Sequence, residues 1–156
     1  MSRWELASAI WSLAELGNIA NEALIALIQL KLIDEGALKG ERQPLIQKIR
    51  RAGEIIDKLL EELRVLSSLF DEYTPVDKIA SPVLREFLNE YGIANARDAM
   101  KQLNDLRSRL DNILEGKFTP PDVEGIRRFL EAVSRATTAQ IDRLRYVEAR
   151  GSPWEV

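Results

Sequence analysis

Residues 44–70 read PLIQKIRRAGEIIDKLLEELRVLSSLF, and this stretch decides the fold class. Leu45, Ile49, Ala52, Ile56, Leu59, Leu63, Leu66 and Phe70 step alternately by four and three residues, which in a helix places them all on one seam. A strand would need alternation of period two, and no segment of the chain sustains it. Pro44 suits a first helical turn, where the amide it lacks would have had no intrahelical partner. The spacing predicts a long helix over residues 44–72.

The same period extends in both directions. A first helix is expected over residues 2–34, closed by a loop with Gly36 and Gly40; at 1.5 Å per residue it is roughly 45 Å long. After the second helix, Thr74-Pro75 with Asp77, then Ser81-Pro82, predict two short helices over 75–80 and 82–91 that form a crossover. Gly92 can take a left-handed conformation that ends the second of these and folds Ile93 back towards Leu88. Asn95 can cap a helix over 95–115 with the seam Ala96, Ala99, Leu103, Leu106, Leu110 and Ile113, ended by Gly116. Thr119-Pro120-Pro121-Asp122 opens the last helix, 120–150, whose seam runs Val123, Ile126, Leu130, Val133, Thr137, Ile141 and Leu144 with a polar Thr at its middle. Four long helices joined by short loops and one crossover bury these seams most simply in an antiparallel arrangement. The expectation is an all-α protein, an antiparallel four-long-helix bundle with a short helical crossover between the second and third long helices. It forms a single domain over 1–156, and the tail 151–156 with Trp154 returns to the end that holds Trp4.

A chain of 156 residues with 46% apolar positions can build one real core. It has neither Cys nor His, which removes disulfides, thiolate nucleophiles, zinc fingers, Ser-His and Cys-His catalytic groupings and His-based pH switching. The opening Met1-Ser2-Arg3-Trp4-Glu5 lacks the basic and apolar regions of a signal peptide. The longest apolar stretch, Ala23 to Ile33, is interrupted by Gln29 and Lys31 and falls short of the roughly 20 residues that span a bilayer. A cytoplasmic location without a membrane partner is the expectation.

Carboxylates are the only abundant groups able to ligate a metal or act as a base, yet their spacing fits no such centre. Di-iron bundles need Glu-x-x-His on two helices, and Glu61-Glu62 is followed by Leu63, Arg64 and Val65 rather than by a further acid. No catalytic, cofactor-binding or metal-ligating residue is singled out, and no cofactor is expected. Opposite charges four apart, among them Arg50 and Glu54, Lys58 and Glu62, Asp105 and Arg109, Glu124 and Arg128, and Glu131 and Arg135, read as helix-surface pairs. One segment stands out. Lys39, Arg42, Lys48, Arg50 and Arg51 face only Glu41, a local excess of four positive charges in a chain of net charge −3. Cations at a helix start oppose its dipole unless an anion sits among them. Contact with nucleic acid or a phosphorylated ligand is therefore one reading, and pairing with acidic groups of neighbouring helices is the other.

The first helix is the anomaly. At 100° per residue its apolar side chains cover most of the circumference, leaving a polar strip of Glu15, Asn18, Glu22 and Gln29 on which Trp4 and Trp11 also lie. A further row, Ile19, Ala23, Ala26, Leu30 and Ile33, crowds the borders. A helix apolar all round is buried, so either the crossover and tail wrap it, with Trp154 over Trp4 and Trp11, or another chain does. The expectation drawn from this is a non-enzymatic helical interaction or assembly subunit, a scaffold that contacts its own copy as a homo-oligomer or another protein. Trp4, Trp11, Ile19, Leu30, Ile33 and Trp154 would form the contact. The alternative is a small accessory subunit that binds nucleic acid or a phosphorylated ligand through residues 39–51.

Overall fold

A computed structural model describes residues 2–150, and within them the chain is all-α. The elements are α1 (Arg3–Asp34), α2 (Gln43–Arg50), α3 (Ala52–Leu69), α4 (Pro82–Glu90), α5 (Ala96–Leu114) and α6 (Pro120–Ala149). α1 packs on α6 and α2, α3 on α5, α5 on α6, and α4 lies across α6. The helix starts follow side-chain chemistry. Ser2 accepts a hydrogen bond from the Glu5 amide, Asn95 from the Asp98 amide and Ser81 from the Leu84 amide, each satisfying an otherwise orphaned donor. Gly92, at φ 64°, ends α4, and the Ile93 amide returns to the Leu88 carbonyl at 2.8 Å. That is the six-to-one bond of a Schellman end.

Two expectations need correction. The second long helix is divided at Arg51, where the Glu54 amide bonds the Arg51 carbonyl three residues back, and it stops at Leu69 because Phe70 swings into an extended conformation. Beyond the break the Gly53 carbonyl accepts a bond from Arg107 of α5, whose guanidinium lies 2.9 Å from where a Cβ at Gly53 would stand. The short helix over 75–80 does not form. Pro75 bridges Asn95 instead, and the Val76 amide bonds the Ala94 carbonyl. These pairings hold the chain extended, so only one turn fits before Ser81, and Arg85 closes that turn by donating to the carbonyls of Asp77, Lys78 and Ala80.

Most of the predicted seams form the core. Ile49, Ala52, Ile56, Leu59, Leu63 and Leu66 are buried, as are Ala96 through Ile113 of the α5 seam and Val123, Ile126, Leu130, Val133 and Thr137 of α6. Leu45 is half-buried against them and Phe70 lies outside. α1 and α6 run antiparallel and meet closely at Gly17, where a Cβ would stand 2.8 Å from the Thr137 hydroxyl. The Thr137 hydroxyl donates to the Ser134 carbonyl, so the polar residue in the middle of the α6 seam is satisfied by its own helix. One turn along, the Ser134 hydroxyl donates to the Asn21 side chain at 2.7 Å. Burial in α6 ends at Thr137, and in α1 it begins at Gly17 apart from Leu6, so the free ends of these two helices carry little cover.

Candidate functional site

α1 divides into two sides. Ile19, Ala20, Ala23, Ala26, Leu27 and Leu30 lie in the core, on the arc from which α2 and α6 pack. The opposite arc bears Trp4 and Trp11, 80% and 74% exposed, and continues through Ile25 at 57%, Ile28 at 47% and Leu32 at 37%. Trp11, Ala14, Glu15, Asn18, Ile19, Glu22 and Arg51 line a groove of about 310 Å³. A second cleft lies between the two indoles over Ala7 and Ser8. The strip of Trp11, Glu15, Asn18 and Glu22 read from helical spacing is thus assembled on one surface.

The predicted contact residues separate. Trp4 and Trp11 are on the uncovered face. Ile19 and Leu30 are corrected to core, 7% and 0% exposed, because the row Ile19, Ala23, Ala26, Leu30 is the side of α1 that faces the bundle; Ile19 is the floor of the groove rather than its rim. Ile33 is half-buried at the C-terminal end of α1 near Gly40, so it lies away from the indoles. Trp154 lies outside the described residues. The sequence does not distinguish the outer aliphatic residues Ile25, Ile28 and Leu32, since a helix apolar in most directions gives no signal for which side its neighbours take.

Of the basic segment, Lys39 and Arg42 are exposed ahead of α2, while Lys48, Arg50 and Arg51 do not share one direction. Arg51 turns to the α1 groove beside Glu15 and Glu22 and pairs with Glu54 at 3.8 Å. Lys48 and Arg50 flank the buried Ile49 two residues apart and therefore leave α2 in directions about 200° apart. Glu54 thus pairs with Arg51 and not with Arg50.

Other expected surface pairs also change partner. Asp105 and Arg109 pair at 2.8 Å as the spacing predicts, but Glu124 pairs with Arg127, and Arg128 and Arg135 both reach Glu90 of α4 at 3.0 Å. The Arg127 hydrogen bond holds the Glu124 carboxyl below its ordinary range. The buried Asp122 accepts from Thr119 at 2.8 Å, Asn112 at 3.1 Å and Arg109 at 3.4 Å, which ties α5 to the start of α6 and satisfies the carboxylate. Among the described residues no group of three or more carboxylates is placed to hold a metal ion.

By length and composition α1 could cross a bilayer: its most apolar window of 18 residues reaches a mean hydropathy of 1.3, with 39% of that window buried. Counting only the uninterrupted apolar run overlooks this, because Gln29 and Lys31 break the run without lowering the window mean below that value. A spanning orientation would have to strip Leu27 and Leu30 from the core and part Gly17 from Thr137.

The chain matches no protein-family model, no curated protein and no solved structure.

Proposed function

We propose that the protein is a non-enzymatic helical assembly subunit whose contact surface is the outer face of α1, centred on its Trp-bearing end. One observation carries the reading: two indoles seven residues apart stand 80% and 74% exposed on the same side of a helix whose other side is already packed. Exposed aromatics of this size are costly in water and are typical anchors of protein interfaces, where the ring buries a large area while its nitrogen finds a partner. Several of the acidic side chains, which are the chain's main candidates for chemistry, are engaged in ion pairs along and between helices, among them Asp105, Glu124 and Glu90. The alternative, binding of nucleic acid or a phosphorylated ligand through residues 39–51, loses support from the divergence of Lys48 and Arg50 and from the commitment of Arg51 to the groove. A polyanion site should present one sign of charge on one face.

Light scattering across a concentration series tests the proposal. The wild-type protein is expected to form a dimer or larger species, and Trp11→Glu to yield a monomer with the same helical content, whose unfolding midpoint no longer rises with protein concentration as that of the wild type does. A monomer at every concentration would remove self-contact, and a Trp11→Glu protein that assembles normally would remove the surface.

A further inference from the structure

The outer face of α1 has a register of its own. Trp4, Trp11, Asn18, Ile25 and Leu32 recur every seven residues, and Ala7, Ala14, Asn21 and Ile28 recur every seven, three positions later. Alternating steps of three and four make the first and fourth positions of a heptad, the pattern by which one helix seats its side chains between those of another. In this chain that seam lies largely outside the core: Trp4, Trp11 and Ile25 stand exposed, and Ile28 and Leu32, also partly exposed, border a cleft shared with Val123, Glu124 and Arg127 of α6. The seam that α1 uses inside the molecule is a separate row.

Resting on the assembly reading, we infer that the occupant of this face is a second copy of the chain, bound through an antiparallel pairing of the two α1 helices about a two-fold axis near residues 18–21. Three features of the face support it. The first is size matching. In an antiparallel pair centred there, Trp11 meets Ile28 of the second copy, Ala14 meets Ile25 and Ala7 meets Leu32, so each small residue of the N-terminal half faces a branched one of the C-terminal half. A parallel pair would set Trp11 on Trp11 and Ala14 on Ala14, a bulge beside a gap. The second is polarity. The same register places Asn18 against Asn21 of the other copy at the centre of the seam, and buried Asn in a heptad fixes register at some cost in stability. Asn21 uses its carbonyl oxygen to accept from Ser134, which leaves its amide hydrogens to donate across the axis.

The third is area. Aromatic side chains carry roughly 150–250 Å² each, so Trp11 offers on the order of 200 Å² per copy, while Trp4 falls opposite Glu35 of the second copy, at the very end of the seam. With Ile25, Ile28 and Leu32 from both copies the seam approaches the roughly 1,000 Å² that a specific interface requires. Each bundle lies behind its own α1, so the two bodies fall on opposite sides of the paired helices. Glu15 and Glu22 flank the seam near the axis and would repel across it, and Arg51, already in their groove, supplies the opposing charge.

The chain has no cysteine, so a spin label on a single introduced one reports one distance between copies in the full-length protein. At Ser8→Cys the antiparallel register separates the two labels by about 35 Å along the axis, and at Glu22→Cys it brings them within about 20 Å. Both signals are expected to vanish when Trp11→Glu is added. Short distances at both positions would mean parallel pairing, which overturns this inference and leaves the assembly reading intact. A species without any distance between copies overturns the second copy as occupant, as does a monomer that partitions onto lipid vesicles through the same face. Arg51→Glu should raise the dissociation constant at least tenfold, and an unchanged constant would discard the electrostatic part.

Discussion

On its inner side α1 sets Ile19, Ala23, Ala26 and Leu30 in the core, none of them more than 7% exposed, while on its outer side Trp4, Trp11, Ile25 and Leu32 stand in solvent. The two rows belong to one helix, and both carry large apolar side chains. What separates them is which arc the neighbours occupy: α6 comes close at Gly17 and α2 closes the other flank, while of the described residues outside α1 Arg51 alone lines the groove beside Trp11. Hydrophobicity sets how much of a helix wants cover, and the placement of the other helices sets which part receives it inside the chain.

The largest expected effect sets the two rows directly against each other. Leu30→Ala removes a fully buried side chain and should cost about 2–5 kcal/mol in urea unfolding, the range for Leu to Ala in a packed core. Ile25→Ala, five residues away on the outer arc, should change the stability of the dilute protein by no more than about 0.5 kcal/mol while weakening assembly. Equal losses at the two sites would break the division. A smaller effect tests what holds α6 against the inner side. Gly17→Ala puts a methyl 2.8 Å from the Thr137 hydroxyl and 3.4 Å from its Cβ. The crowding, about 1–3 kcal/mol, exceeds the gain of about 1 kcal/mol from replacing a helical Gly. Thermal unfolding should show a net loss, and adding Thr137→Ala should recover part of it.

Legibility of the fold follows the same physics. Where a helix has one apolar stripe and polar residues elsewhere, as over Ala52 to Leu66 and Ala96 to Ile113, the stripe names the buried face, and the structure buries it. Caps at Ser2, Ser81 and Asn95 and the turn at Gly92 are also readable, because the chemistry that ends a helix is local. α1 defeats that method, since with apolar residues in most directions no stripe is distinguished; of the candidate contact, the indoles were legible and Ile25, Ile28 and Leu32 were not. The extended Pro75 and the preference of Arg128 and Arg135 for Glu90 over Glu124 and Glu131 depend on residues distant in sequence. Spacing along one helix carries no information about them.

Tyr91 sits astride the division between covered and uncovered and gives the smallest effect. Its ring belongs inside: it lies 4.8 Å from Phe87, which in turn meets Phe129 edge-on, and the Arg128 guanidinium stacks 4.6 Å over its face. Its hydroxyl belongs outside, yet it is buried with no hydrogen-bond partner. An orphaned buried hydroxyl contributes nothing that a hydrogen atom would not, so Tyr91→Phe should leave stability at neutral pH unchanged or raise it by up to about 1 kcal/mol. Burial pushes the phenol from its ordinary 10.0 up to about 12. Because the folded value lies above the unfolded one, the unfolded chain loses this proton first. The tyrosine protein therefore loses stability as pH rises from 10 through about 12, and no such loss from this site occurs below that window. The phenylalanine variant should lack that part of the alkaline decline. If the two proteins instead unfold in parallel from pH 9 to 12, the hydroxyl is solvated, and the contact of α4 with α6 is looser than the inner side of α1.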